Sequence, residues 1–314
     1  MGLFTKFEET VFYKVDSELE RKVEILTELQ KKYPNNDKIK SELAMSKAGL
    51  KGENQIIFEL KNANIGMYVL HDITIRGGDS TAQIDFVVIT PYKNYFIECK
   101  DMIGDITVNN TGQFIRKFES DGKVVKKSIY SPLTQAERHI DIFLKNWNSR
   151  HNSIQKFLYR KSVEKFNVPL VVMANSEGIL DTRFAPKELK NKIIRADQLV
   201  KYIKDDIKSA ASIDLCGKKL MEEIAETFKS LDQPVEKDYE KLLVKNDDYI
   251  KNKLIEFRKS KAEERKIPED YIFTDDELDS ILSIMPKELN ELNDILSEIK
   301  VKYHGQEIID IINN

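Results

Sequence analysis

Residues 67–100, MYVLHDITIRGGDSTAQIDFVVITPYKNYFIECK, decide the fold. Apolar residues recur here with a period of two, the spacing of a half-buried strand. Residues 67–75 and 82–90 read as two strands joined at Gly77-Gly78-Asp79, and residues 95–100 as a third after the turn Pro91-Tyr92-Lys93-Asn94. Centred on residues 91–94, that turn sets Asp85 opposite Lys100. Glu98, two residues before Lys100, then shares its face, so two carboxylates and one ammonium converge on one side of the sheet. A one-residue slip would separate them. Cys99 points to the opposite face, into the core.

Working outward, residues 1–48 read as helical, with Val11, Val15, Leu19, Val23, Leu26 and Leu29 on one stripe. Tyr33-Pro34-Asn35-Asn36-Asp37 breaks that helix, and a second resumes through Ile39, Leu43 and Ala44. Gly49-Leu50-Lys51-Gly52 interrupts again before Ile56, Ile57 and Leu60. Beyond the central strands, residues 113–118 and 123–129 flank Asp121-Gly122, a hairpin signal. Residues 134–147 return to helical spacing, residues 169–174 form a wholly apolar run suited to a buried strand, and residues 197–203 and 218–228 close the region as helices. Residues 232–246, DQPVEKDYEKLLVKN, read as a linker, and only helical spacing follows. The expected order is a helical extension (1–48), an α/β domain (49–231), a linker (232–246) and a small all-α domain (247–314).

The chain has 314 residues, 41% hydrophobic and 33% charged, with 50 Lys and Arg against 53 Asp and Glu. That length suits about two domains. The near-neutral balance excludes a uniformly basic nucleic-acid coat protein and an acidic disordered chain. It averages unlike parts: residues 247–314 carry 10 basic against 17 acidic side chains, residues 1–246 carry 40 against 36. Two cysteines, Cys99 and Cys216, are too few for a disulfide scaffold, and His71, His139, His151 and His304 make no zinc pattern. The opening MGLFTKFEET places Lys6, Glu8 and Glu9 where a secretion signal needs an apolar run. No apolar stretch approaches the roughly 18 to 20 residues that span a bilayer. A soluble, cytoplasmic protein without membrane contact is expected. No GxxxxGK[ST] occurs, which excludes a P-loop motor.

Two carboxylates beside a lysine suit a hard cation. Mg²⁺ takes a few carboxylate oxygens and keeps water sites that phosphate oxygens and an attacking water can occupy. A neighbouring lysine can orient the nucleophile or stabilise charge gathering on phosphorus. A single Glu-x-Lys on a strand is ordinarily a solvated face; the ordered set with an upstream helical glutamate carries the signal.

Gly52-Glu53, Ala82-Gln83-Ile84-Asp85, Phe96-Ile97-Glu98-Cys99-Lys100 and Gly104-Asp105-Ile106 together resemble the nuclease-related domain (NERD) of the PD-(D/E)xK nuclease superfamily, over roughly residues 45–165. The resemblance implies a restriction-endonuclease-like mixed sheet flanked by helices and a Mg²⁺- or Mn²⁺-dependent nuclease. It assigns Glu53, Asp85 and Glu98 as metal ligands and Lys100 as the catalytic lysine, with Gln83 and Gln135 as accessory residues. The chain departs from the family at Phe86, where a histidine is frequent, at Asn94-Tyr95, where a glycine is frequent, and at Asp101 in place of asparagine.

Residues 247–314 resemble the HRDC domain through Leu254, Phe257-Arg258, Ala262, Ile267-Pro268, Tyr271-Ile272-Phe273, Leu278, Pro286, Gly305 and Ile308-Ile309. That resemblance implies a contact with single-stranded DNA or with a protein partner. Lys251, Lys253, Arg258 and Lys259 are the nucleic-acid-binding candidates, although the module is acidic and lacks the family's glycine loop at Leu296-Ser297-Glu298. The leading expectation is a nuclease acting on nucleic acid, DNA in preference to RNA, through the N-terminal domain. The alternatives are a catalytically silent nucleic-acid-binding adaptor and a homodimer assembled through the N-terminal helices.

Overall fold

The computed structural model describes residues 9–34, 36–120, 122–150, 166–235, 237–239 and 248–313. By contact the chain divides into two compact units, Met1–Glu24 with Glu42–Glu236, and Ile25–Ser41 with Lys237–Asn314.

The first unit is a mixed α/β structure. Its main sheet has the order β1-β2-β3-β4-β8-β10, formed by Thr10–Lys14, Met67–Gly77, Ser80–Ile89, Asn94–Lys100, Asn167–Met173 and Ile193–Arg195. β2, β3 and β4 run antiparallel in sequence, while β1, β8 and β10 join in parallel. Helices cover both faces. Ile56 and Leu60 of α2 (Asp37–Lys61) and Leu199 and Ile203 of α5 (Leu199–Ser209) pack on one face with Phe86, Val88, Tyr95 and Ile97. Ile140 and Phe143 of α3 (Pro132–Arg150) and Met221, Ala225 and Phe228 of α6 (Lys218–Leu231) cover the other with Ile84, Val87 and Phe96. Phe96, Phe143 and Phe228 meet ring to ring at centroid distances of 4.7–5.6 Å. A second sheet, β7-β6-β5-β9, is built from Lys123–Ile129, Phe114–Ser120, Asp105–Val108 and Leu180–Asp181. It packs Ile106, Val108 and Phe114 against Val171 and Met173 of β8, and the short helix α4 (Lys187–Lys190) precedes β10. The restriction-endonuclease-like expectation is thus met by a mixed sheet between helices.

Several local readings change. Thr10–Lys14, expected in a helix, is strand β1 paired parallel to β2; Thr10-Val11-Phe12-Tyr13 is β-branched and aromatic, which favours the pleated surface beside β2. Helix α1 begins only at Glu18 and runs to Lys32. Helix α2 passes without a break through Gly49–Gly52. The alternation of β2 and β3 changes phase midway: Tyr68, Leu70, Ile73 and Ile75 share one face, as do Ile84, Val87 and Ile89. The shift occurs where Asp72, with a left-handed φ of 55°, and Asp85 face each other outside the ladder, while the register on either side stays the same. Of the expected linker, Asp232 and Gln233 are hydrogen-bonded to both main-chain groups of Thr74 at 2.8 Å; residues 236 and 240–246 lie outside the described residues, as does Asp121 of the expected hairpin turn.

In the second unit α7 (Asp248–Arg265), α8 (Asp275–Ile284), α9 (Leu289–Asn293) and α10 (Glu298–Asn313) enclose Leu254, Ile272, Phe273, Ile281, Leu292 and Ile308. Thr274 and Glu277 cap α8 reciprocally. Among the described residues no helix is long and apolar enough to cross a membrane.

Candidate active site

Strand β4 carries the site. Its ladder with β3 pairs Phe86 with Ile97 and Val87 with Phe96, which carries Asp85 opposite Glu98. The register is two residues away from the expected one, with Asp85 opposite Glu98 instead of Lys100. Lys100 Nζ bonds Glu98, and the charges of both act on Asp85, so the three groups lie together. The pairing ends one step early: Asp85 sits at the phase change of β3, and its Oδ2 accepts the main-chain N–H of Cys99 at 2.7 Å. Glu98 is 1% exposed, and its Oε1 accepts a bond from Lys100 Nζ at 2.5 Å. Cys99 packs into the opposite core, as its parity requires.

Glu53 arrives from α2. Gly52 lets the helix come this close, since a Cβ there would stand 2.7 Å from Asp101 Cβ and 3.2 Å from Cys99 Sγ. The buried Glu53 Oε2 lies 2.8 Å from His71 Nε2, and the His71 ring stacks on Phe86 at 4.6 Å. His71 is the cross-strand neighbour of Phe86, so an imidazole stands beside the position where the family often has histidine. A second unanticipated histidine, His139 of α3, is buried with Nδ1 3.6 Å from Glu98 Oε2. Lone histidines carry no spacing signature; the only hint was that His71 interrupts an apolar strand.

Electrostatics set these groups apart. Burial first, then the carboxylates of Glu98 and Glu53, push Asp85 well above the ordinary carboxyl range. Burial likewise raises Glu98 against the opposing pull of Lys100. Burial alone would lower Lys100, but Glu98 and Asp85 outweigh it and the amine is held charged. His139 is lowered to about 4 by burial and by Lys100, so its contact with Glu98 involves a neutral imidazole.

Glu98 Oε2 and His139 Nδ1 are buried with no hydrogen-bond partner. A desolvated carboxylate pair with one unsatisfied oxygen is the donor chemistry that a hard divalent cation takes. Asp85 and Glu98 are the residues that could hold it. Glu53, the expected third ligand, meets His71 through Oε2, and its charge acts on both acids; among the described residues no three His, Cys, Asp or Glu side chains are arranged to hold a metal ion.

Gln83 Nε2 donates to Asp72 Oδ1 at 2.9 Å and braces that left-handed residue. Gln135 lies in the first turn of α3, one turn before His139, with its N–H on Ser131 O at 3.1 Å.

Residues 48–172 match the family model of the nuclease-related domain, and residues 251–312 match that of the HRDC domain. The chain carries a nuclease-related domain followed by an HRDC domain. No curated protein and no solved structure matches it. All four central site residues fall inside the nuclease-related domain. In the HRDC domain, Arg258, one of the nucleic-acid-binding candidates, is 9% exposed; its Nη1 donates to Asp275 Oδ1 at 2.7 Å and to Phe273 O at 3.3 Å. This guanidinium is committed to the interior of its own module. Lys251, Lys253 and Lys259 remain exposed.

Proposed function

We propose that the nuclease-related domain hydrolyses phosphodiester bonds, those of DNA in preference to RNA, with Mg²⁺ or Mn²⁺ held by Asp85 and Glu98. The single observation that carries this reading is the convergence of Asp85, Glu98 and Lys100, with Glu98 Oε2 buried and unpartnered. When bound, the cation would neutralise charge on the phosphate and acidify a water. Lys100, held charged by the two acids, is placed to orient an attacking water and to balance charge on the scissile phosphate. Asp85 is fixed by the Cys99 N–H, so its free oxygen keeps one direction. Glu53, anchored by His71, adds negative potential and a hydrogen-bond acceptor at the rim. His139, neutral, lines the wall beside Glu98 without competing for the cation as a charged group.

Single- and double-stranded DNA and RNA, incubated with the protein and either metal, test this reading. Cleavage is expected to fall about a hundredfold or more in Asp85→Ala and in Lys100→Ala; cleavage retained in both would sink it. The direct Lys100–Glu98 bond favours a second reading, in which the pair satisfies itself and the domain binds nucleic acid without turnover. Tight binding without product, unchanged by Glu98→Ala, would select that one.

A further inference from the structure

The second sheet ends in a hairpin whose charge nothing in the candidate site uses. β6 and β7 carry Arg116, Lys117, Lys123, Lys126 and Lys127 against one described acid, Glu119. The register sets Arg116 directly opposite Lys127 and Lys117 directly opposite Lys126. Like charges facing each other across a ladder repel and weaken it. Lys117, Lys123, Lys126 and Lys127 are all exposed, and none makes an ion pair among the described residues.

Edge strands often carry lysine to discourage edge-to-edge pairing, and β7 is an edge. That role needs charge on β7 alone. Here the inner strand β6 is basic too, and cross-strand partners share a face: Arg116, Lys123 and Lys127 project from one side of the ribbon, Lys117 and Lys126 from the other. Phe118 lies on the first side with the Arg116 guanidinium over its ring at 4.3 Å.

The hairpin is also fastened to the segment leaving the candidate site. Arg116 Nε donates to Ile103 O at 2.7 Å, three residues after Lys100. Gly104, with φ of 96°, lets the chain pass under β6, where a Cβ would collide with the carbonyl of Lys117.

We propose that the β6–β7 hairpin is a duplex-DNA-binding ribbon that lies in a groove, its two basic faces turned toward the two phosphate backbones. A single strand would engage one face only; a two-stranded ribbon with cations on both sides matches the major groove of B-form DNA, which admits such a ribbon. The deep, narrow major groove of duplex RNA does not. The proposal rests on the reading of the nuclease-related domain as acting on nucleic acid, and names where the duplex is gripped.

Binding of the full chain to a short fluorescein-labelled DNA duplex, to its single strand and to the same sequence as duplex RNA is read by anisotropy in EDTA across a salt series. The readout is therefore independent of cleavage. Combined Lys123→Gln, Lys126→Gln and Lys127→Gln is expected to weaken duplex-DNA binding about tenfold or more and to flatten the log–log salt slope by about three. Its melting temperature should hold or rise, because the cross-strand repulsion is relieved. Unchanged duplex affinity overturns the proposal, as does an equal loss in a control triple variant at Lys201, Lys204 and Lys208 of α5, or a loss confined to single strands. Unchanged affinity with new aggregation assigns the lysines to edge protection instead. A triple variant that loses binding while Asp85→Ala keeps it separates the grip from the chemistry, whatever becomes of the cleavage assay.

Discussion

Asp85 shows how one side chain can oppose the fold that holds it. Burial with Glu98 and Glu53 raises its pKa, so the folded protein holds that proton more tightly than the unfolded chain does. The stability linked to it is complete below the unfolded carboxyl value and is lost as pH rises through the raised folded value. Asp85→Asn, which cannot ionise, is therefore expected to gain on wild type between mildly acid and neutral pH, by about 1 kcal/mol in the metal-free protein. Mn²⁺ should raise the melting temperature of wild type at neutral pH and leave Asp85→Asn unmoved. Calorimetry with and without metal checks both signs; a variant that still responds to Mn²⁺ would count against Asp85 as a ligand. His71 makes a second case. His71→Ala strands the buried Glu53 carboxylate, with an expected cost of about 1–3 kcal/mol in urea unfolding. Glu98 and Lys100 were legible from their spacing along one strand, and Asp85 from its place on the strand paired beside it. His71 and His139 were not, since each reaches the site from another element and is identified by contact alone.

At the scale of elements, close approach matters more than propensity. Glycine costs a helix about 1 kcal/mol relative to alanine, and the pair at Gly49 and Gly52 reads as a break for that reason. The helix keeps Gly52 because α2 has to run against β4 and the Asp101 side chain. Gly52→Ala is expected to destabilise by about 1–3 kcal/mol through overpacking, and to lower metal-dependent cleavage more than nucleic-acid binding, because Glu53 is displaced with the helix. Thermal melts beside cleavage and anisotropy assays separate the two effects. The long strands 67–77, 80–89 and 94–100 were legible from alternation. β5, β9 and β10, of two to four residues, are too short to show a period. The phase change at Asp72 is set by a left-handed φ that Gln83 and the Glu18 N–H brace from outside the strand, and alternation alone does not register it.

Across the molecule, charge is divided between unlike parts. The acidic HRDC domain turns its one buried guanidinium inward, so Arg258→Ala should cost about 1–2 kcal/mol of stability and leave nucleic-acid affinity where it was. A loss of DNA affinity without a loss of stability would reverse that assignment. The resemblance of residues 247–314 rested on core positions, which is why the helical fold was legible while the burial of Arg258, a charged residue in a run of lysines, was not.

The chain enters the second unit at Ile25, leaves it after Ser41 and returns only at Lys237. Two of those passages occur inside α1 and α2. On the ribosome the first unit has all its residues once Glu236 is made. Leu26, Leu29 and Ile39, each buried in the finished protein, lie in the early segment of a unit whose other residues follow Glu236. The second unit therefore closes only after every residue of the first has been made.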